Sequence, residues 1–214
     1  MSVSPPVRAS GPLLLADISG YTSFLQSVAV AHADDTDARI PEAYGLMSSL
    51  LDGIVERVVP PFTLSKLEGD AVFAFATEGD AIPTGEALLA CTEACYAEFR
   101  RRVDGAAEIW SCGCGVCARR DLLDLKFILH AGSFIVQSIA GNRELVGPDV
   151  VMAHRLLKSG AATVTDGRAY VLMTAAATER YAVPTVDAVA LRESYDHYEP
   201  IDCWVYRLGR DAAT

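Results

Sequence analysis

Two aspartates stand where apolar runs stop. Asp17 follows Leu13-Leu14-Leu15-Ala16, and Asp70 closes the Glu68-Gly69-Asp70 stretch before Ala71-Val72-Phe73-Ala74-Phe75. If those runs are neighbouring strands, the carboxylates come within a few ångströms of each other and repel unless a cation lies between them. Mg²⁺ bound to substrate phosphates fits that role. The alternative is two ordinary turn or cap residues, since Asp bonds its own backbone in turns. A second group is Cys112-Gly113-Cys114-Gly115-Val116-Cys117. Three thiolates in a Gly-rich loop suit zinc if Cys203, His130 or a partner chain supplies a fourth ligand. A redox pair and inert thiols are the other readings. Cys91 and Cys95, four apart on an expected helix, read as small buried apolar residues.

The background is an ordinary globular one. The chain has 214 residues, 18 basic and 28 acidic, for a net charge of −10, and 51% are apolar. That supports a real core and excludes wholesale disorder. So acidic a chain repels phosphate backbones, and Arg100-Arg101-Arg102 and Arg119-Arg120 are too short to offset this, so nucleic acid is excluded as main partner. No apolar run approaches the roughly 18 residues of a membrane span, and Leu13 to Ala16 is too short for a signal-peptide core. The expectation is a cytoplasmic protein with no membrane partner and no disulfide framework.

The elements that must position these residues follow from patterning. Residues 1–11 read as a loose leader, with one domain over 12–210 and a Cys-rich insert at about 109–120. Leu13 to Ile18 predicts a strand buried on both faces. Helical spacing from Tyr21 is interrupted by Asp34-Asp35-Thr36-Asp37, resumes at Pro41 and ends at Pro60-Pro61. Phe62–Leu67 and Ala71–Ala76 predict a hairpin, and Thr84–Val103 a helix. Leu125–Ile139 predicts one or two strands broken near Gly132, followed by a turn at Gly141-Asn142 and a helix from Gly147 to Gly160. Tyr170–Met173 and Cys203–Leu208 are late strands. Hairpins mixed with crossovers argue an α+β fold.

Three blocks carry a family resemblance. Ala16-Asp17-Ile18-Ser19-Gly20-Tyr21-Thr22 resembles the opening strand of class III nucleotidyl cyclases, and Lys66-Leu67-Glu68-Gly69-Asp70 their central hairpin. His130-Ala131-Gly132, then Val146-Gly147 and Ala153-His154-Arg155-Leu156, is similar to a third block. With the cysteine insert and His-Arg-Leu-Leu-Lys-Ser, the chain resembles more closely the bacterial cyclase-like domain of unknown function 2652 family.

The resemblance implies a ferredoxin-like βαββαβ core with a mixed or antiparallel sheet. It also implies a homodimer that builds two sites head to tail. Asp17, Asp70 and the Ile18 backbone carbonyl fall on the positions holding two Mg²⁺ or Mn²⁺ ions. Lys66 falls on the base-reading position that favours ATP, Glu144 on its acidic companion, and Arg155 on the catalytic arginine. The implied activity is cyclic AMP formation from ATP.

Two positions depart from the family. Val151 stands where cyclases carry a transition-state asparagine, and no lysine follows Lys158 to meet the phosphates. These departures support a nucleotide sensor that does not turn over. A zinc- or thiol-based interaction module using Cys112 to Cys117 is the third reading. Plain alternatives are a surface strand residue for Lys66, a helix-surface arginine for Arg155 and a hydrogen-bonded core residue for His130. His154 could face the site or the solvent.

Overall fold

The computed structural model describes residues 5–33, 40–110 and 112–209. In chain order the first half comprises β1 (Val7–Ser19), α1 (Tyr21–Ala31), α2 (Glu42–Val58), β2 (Thr63–Glu68), β3 (Ala71–Phe75) and α3 (Gly85–Ile109). A 3-10 turn (Cys117–Leu122) leads to β4 (Asp124–Ile139), β5 (Asn142–Val146), α4 (Pro148–Leu156) and α5 (Ala161–Val164). The chain continues through β6 (Tyr170–Thr174), α6 (Ala175–Arg180), β7 (Val189–Glu193) and β8 (Ile201–Arg207). The Asp34–Asp37 stretch lies outside the described residues. Among the described residues, no helix is long and apolar enough to cross a membrane.

One eight-stranded sheet runs β2-β3-β1-β4-β6-β8-β7, with β5 paired to β4. The order β2-β3-β1-β4 in a β-α-β-β-α-β chain is the ferredoxin-like arrangement, antiparallel throughout. The β4–β6 pair is parallel, which makes the whole sheet mixed. The predicted α+β class and core are those observed.

Alternation along β1 explains why an unbroken apolar run was needed. Leu14, Ala16 and Ile18 point to one face, where α2 and α3 pack with Leu50, Ile54 and Phe99. Leu13 and Leu15 point to the other, beneath α4, with Phe73, Phe75, Ile128 and Met152. Since successive side chains alternate, Asp17 shares the α4 face with Leu13 and Leu15.

Several expectations shift. The loose leader is corrected at its inner end, because β1 begins at Val7 and pairs Val7 with Val136 through Gly11 with Gly132. The predicted break at Gly132 is also corrected, since β4 runs through it. A Cβ there would lie 2.4 Å from Asp149 Cγ, so the glycine admits a neighbour and does not end a strand. The helix predicted to stop at Val103 continues to Ile109. Short β7, α5 and α6 were absent from the expectation, as five, four and six residues are too few to show a period.

The sheet curls at one end. Ile135 and Val136 pair with β1 on one side and β5 on the other, so β5 lies across β4 from β1. Yet Arg143 of β5 donates to the Leu64 carbonyl of β2 at 3.2 Å. Three strands intervene in the ladder, and only curvature brings these edges together. Gly11 tightens this region, where a Cβ would come within 2.1 Å of the Ala76 carbonyl oxygen.

Candidate functional site

The sequence-predicted residues gather on the α4 face. Register sets Asp17 opposite Ala71 on β3 and opposite Lys126 on β4. Lys126 Nζ lies 2.9 Å from Asp17 Oδ2, with both side chains largely buried. Asp70 follows in the hairpin turn, its carbonyl accepting the Ile18 N–H at 3.1 Å. Burial, then the charge of Asp17, pushes the Asp70 carboxyl above its ordinary range, and Lys126 opposes this. Two neighbouring carboxylates beside one lysine form an oxygen donor set that fits a divalent cation. Burial and then the Asp70 charge likewise raise the Tyr21 phenol.

The second cluster is a chain of polar contacts. Lys66 Nζ donates to Glu144 at 2.9 Å and lies 3.3 Å from Glu68. The Glu144 hydrogen bond is the main reason that the Lys66 ammonium is held above its usual value. Glu68 also meets His154 Nε2 at 2.8 Å, while His154 Nδ1 faces the Val150 carbonyl at 2.8 Å. The Phe73 ring packs edge-on against the His154 ring at 4.8 Å. His154, left undecided by its position in the sequence, therefore faces this cluster and joins β2 to α4.

Arg155 stands further along α4, its guanidinium 5.4 Å from the Tyr198 ring centroid and 6.0 Å from that of Tyr195. Both are cation–π distances. With Val150, Val151, His154 and Lys158 it lines a cavity of about 310 Å³. Val151 is 48% exposed there, so the position matching the cyclase asparagine presents methyl groups to the opening. The chain has three lysines, 66, 126 and 158. All three belong to these clusters.

His130 lies apart from this chemistry. It is buried, with Nδ1 3.0 Å from the Thr174 hydroxyl and Nε2 3.4 Å from Asp149. Asp149 accepts the Ser133 N–H at 2.7 Å, and His130 is the main cause of its lowered pKa. These contacts seat the first turn of α4 on β4. Cys95 is buried, and burial pushes its thiol up to about 12. Cys203 is also buried, on the α4 face.

On the opposite side of the sheet, the three loop cysteines converge on His32. Its Nε2 lies 3.7 Å from Cys112 Sγ, 3.5 Å from Cys114 Sγ and 3.5 Å from Cys117 Sγ. All four ligand atoms lie within 4.8 Å of one another. The expected fourth ligand is thereby corrected: His130 is committed to Thr174 and Asp149, and Cys203 packs in the other core cluster. His32 is 80 residues from Cys112, and nothing in its local sequence announces the meeting. Lys126 was missed too, since only the β1–β4 register places it beside Asp17.

Comparison with known proteins gives a family and a fold. The family model described as "Protein of unknown function (DUF2652)" matches residues 47–165. The uncharacterized protein Rv2561/Rv2562 of Mycobacterium tuberculosis is 34% identical over 115 residues, 53% of this chain and 51% of that protein. The chain thus spans about half the length of this curated relative. The adenylyl cyclase CyaB from P. aeruginosa superposes with a TM-score of 0.67 at 15% identity, covering 98% of this chain and 100% of that one. A class III adenylyl cyclase-like ATP-binding protein from Pseudomonas aeruginosa gives 0.59 at 17% identity, covering 87% and 37%. At these identities the likeness shows the fold, which is that of class III nucleotidyl cyclases.

Proposed function

The chain belongs to the DUF2652 family, and from that premise we propose that it binds a nucleoside triphosphate with Mg²⁺ or Mn²⁺, ATP in preference to GTP. The proposed assembly is a cytoplasmic homodimer with two head-to-tail sites. The observation that carries the reading is the α4 face itself. A chain of net charge −10 sets Lys126 beside Asp17 and Asp70 on this face, Lys66 against Glu68 and Glu144, and Arg155 with Lys158 along an open cavity of α4.

Asp17, Asp70 and the Ile18 carbonyl would hold the divalent ions. Those ions, once bound, would neutralise triphosphate charge and ease attack at the α-phosphorus. Lys126 balances Asp17 in the free protein. With Asp17 engaged by a divalent ion, the Lys126 ammonium would be free to meet the phosphates. Lys66, aimed by Glu144, donates to the base, and Arg155 reaches the triphosphate of the site it completes across the dimer. The P. aeruginosa cyclase-like protein described as ATP-binding supports this reading by likeness of fold.

Turnover is the weaker half of the family's activity here. Val151 has no donor, and loss of one transition-state donor typically costs about a hundred- to a thousandfold in rate. Binding without rapid cyclisation is the function we assign. Calorimetric titration with ATP and GTP in Mn²⁺, with the same samples assayed for cyclic nucleotide, tests it. ATP should bind more tightly than GTP with little or no cyclic AMP formed, and Asp17→Ala should abolish the metal-dependent binding. Rapid cyclic AMP formation would identify an enzyme, and binding of neither nucleotide would reject the proposal.

A further inference from the structure

We propose that His32, Cys112, Cys114 and Cys117 form a structural zinc site of Cys₃His type. This site is independent of the nucleotide reading, because none of its ligands belongs to the α4 face.

The distances carry the assignment. With Zn–S near 2.3 Å and Zn–N near 2.0 Å, a tetrahedral site has ligand-to-ligand edges of about 3.5–3.8 Å. The three N···S separations are 3.5, 3.5 and 3.7 Å, although the residues come from segments 80 or more positions apart. Soft thiolates with one imidazole, converging without a carboxylate, select zinc over magnesium or calcium. All four positions are filled by protein, which is the closed arrangement of a structural ion and leaves no place for a reacting water.

The surrounding groups hold the ligands in place. The Cys117 N–H donates to Cys114 Sγ at 3.3 Å, and such bonds to sulfur favour the thiolate. The Cys112 N–H donates to Glu42 at 3.2 Å, tying the loop to the first residue of α2. Arg120 donates to the Cys117 carbonyl at 3.3 Å and stacks over Trp110, 5.2 Å from its centroid. That guanidinium also offsets the net negative charge of three thiolates around one Zn²⁺. Outer partners of this kind set ligand orientation in zinc sites.

The site has a definite mechanical role. His32 caps the C-terminal end of α1, and the cysteines lie between α3 and β4. Zinc therefore pins the far end of the helix that starts just after Asp17 and Gly20. Because the unfolded chain has no such site, zinc binding adds directly to folding free energy.

Elemental analysis of the full chain, purified under reducing conditions, should find about one zinc per chain, as a closed four-ligand site requires. A thiol-directed mercurial should release it. The emptied protein should then take up Co²⁺ with the thiolate-to-cobalt charge transfer and intense d–d bands of a tetrahedral sulfur-rich site. His32→Ala should weaken zinc in chelator competition by more than the roughly 10- to 100-fold that loss of an outer partner costs. His32→Cys should retain the ion and the fold, which separates ligand loss from misfolding. Metal-free protein that takes up no cobalt overturns the proposal, as do unchanged zinc affinity in His32→Ala and iron in place of zinc.

Discussion

Glu98 lies inside α3, only 7% exposed, and is bracketed by guanidinium groups. Arg101 donates at 2.6 and 2.9 Å and Arg102 at 2.6 Å, with Arg57 at 3.5 Å. The Arg101 and Arg102 bonds hold its carboxyl down from 4.5 to about 2. A depressed folded pKa gives stability that is full above the unfolded value and is lost as pH falls through the folded one. The Glu98 contribution should therefore be whole above pH about 4.5 and lost as pH falls to about 2. Discounting for solvent around Arg101, we expect Glu98→Gln to cost on the order of 2 kcal/mol at neutral pH. Urea midpoints across that window check this: the variant should show the flatter acid limb, and parallel curves would refute the assignment. The neighbouring strand-end positions of Asp17 and Asp70 were legible from the apolar runs, whereas Lys66 and Glu144 stood out only through the family resemblance, and the fold adds the 2.9 Å bond between them. His32 and Lys126 were illegible because their partners lie on other elements, and only packing or register joins them.

Arg102 also explains how α2 and α3 approach. It reaches past Gly53 to donate to the Ser49 carbonyl at 2.7 Å and to Glu56 at 2.5 Å. A Cβ on Gly53 would stand 2.6 Å from Arg102 Nε. Alanine inside a helix ordinarily gains about 1 kcal/mol over glycine. Here Gly53→Ala should instead destabilise by roughly 1–3 kcal/mol, the cost of overpacking. Denaturant unfolding of the single variant and of Gly53→Ala with Arg102→Ala tests the cause. The intrinsic alanine gain should reappear in the Arg102→Ala background, and equal destabilisation in both backgrounds would exclude the clash. At this scale the sequence was most readable where apolar period and punctuation agree, as in β1, α2 and the β2–β3 hairpin. Gly132 misled because a glycine amid apolar residues reads as a break, while its cause is Asp149 on a helix that follows it by sixteen residues.

The proposed assembly divides each site between two chains, Asp17 from one and Arg155 from the other. Asp17→Ala and Arg155→Ala homodimers should each bind metal–ATP weakly. Re-equilibrating them at equal concentration makes about half of the dimers mixed, each with one intact site, restoring roughly a quarter of all sites. Calorimetric stoichiometry after mixing reads this directly; no recovery in a preparation shown to exchange subunits would place both residues in one protomer's site. The class of fold was legible because the order of strands and helices survives at 15% identity to CyaB. The curl of the sheet was not, since it depends on contacts between strands far apart in the ladder.

That curl gives Lys66 and Glu144 a second task. Strands β2, β3, β1, β4 and β5 pair in succession, and the 2.9 Å bridge joins the first to the last. The five strands thus curl into a ring closed by this ion pair together with the Arg143 bond to the Leu64 carbonyl. Under the proposed function, a purine drawing on the Lys66 ammonium would have to share it with Glu144, so ligand affinity and closure of the ring would compete for the same three protons. A nucleotide that satisfied Glu144 as well as Lys66 would leave the closure intact, and one that satisfied Lys66 alone would work against it.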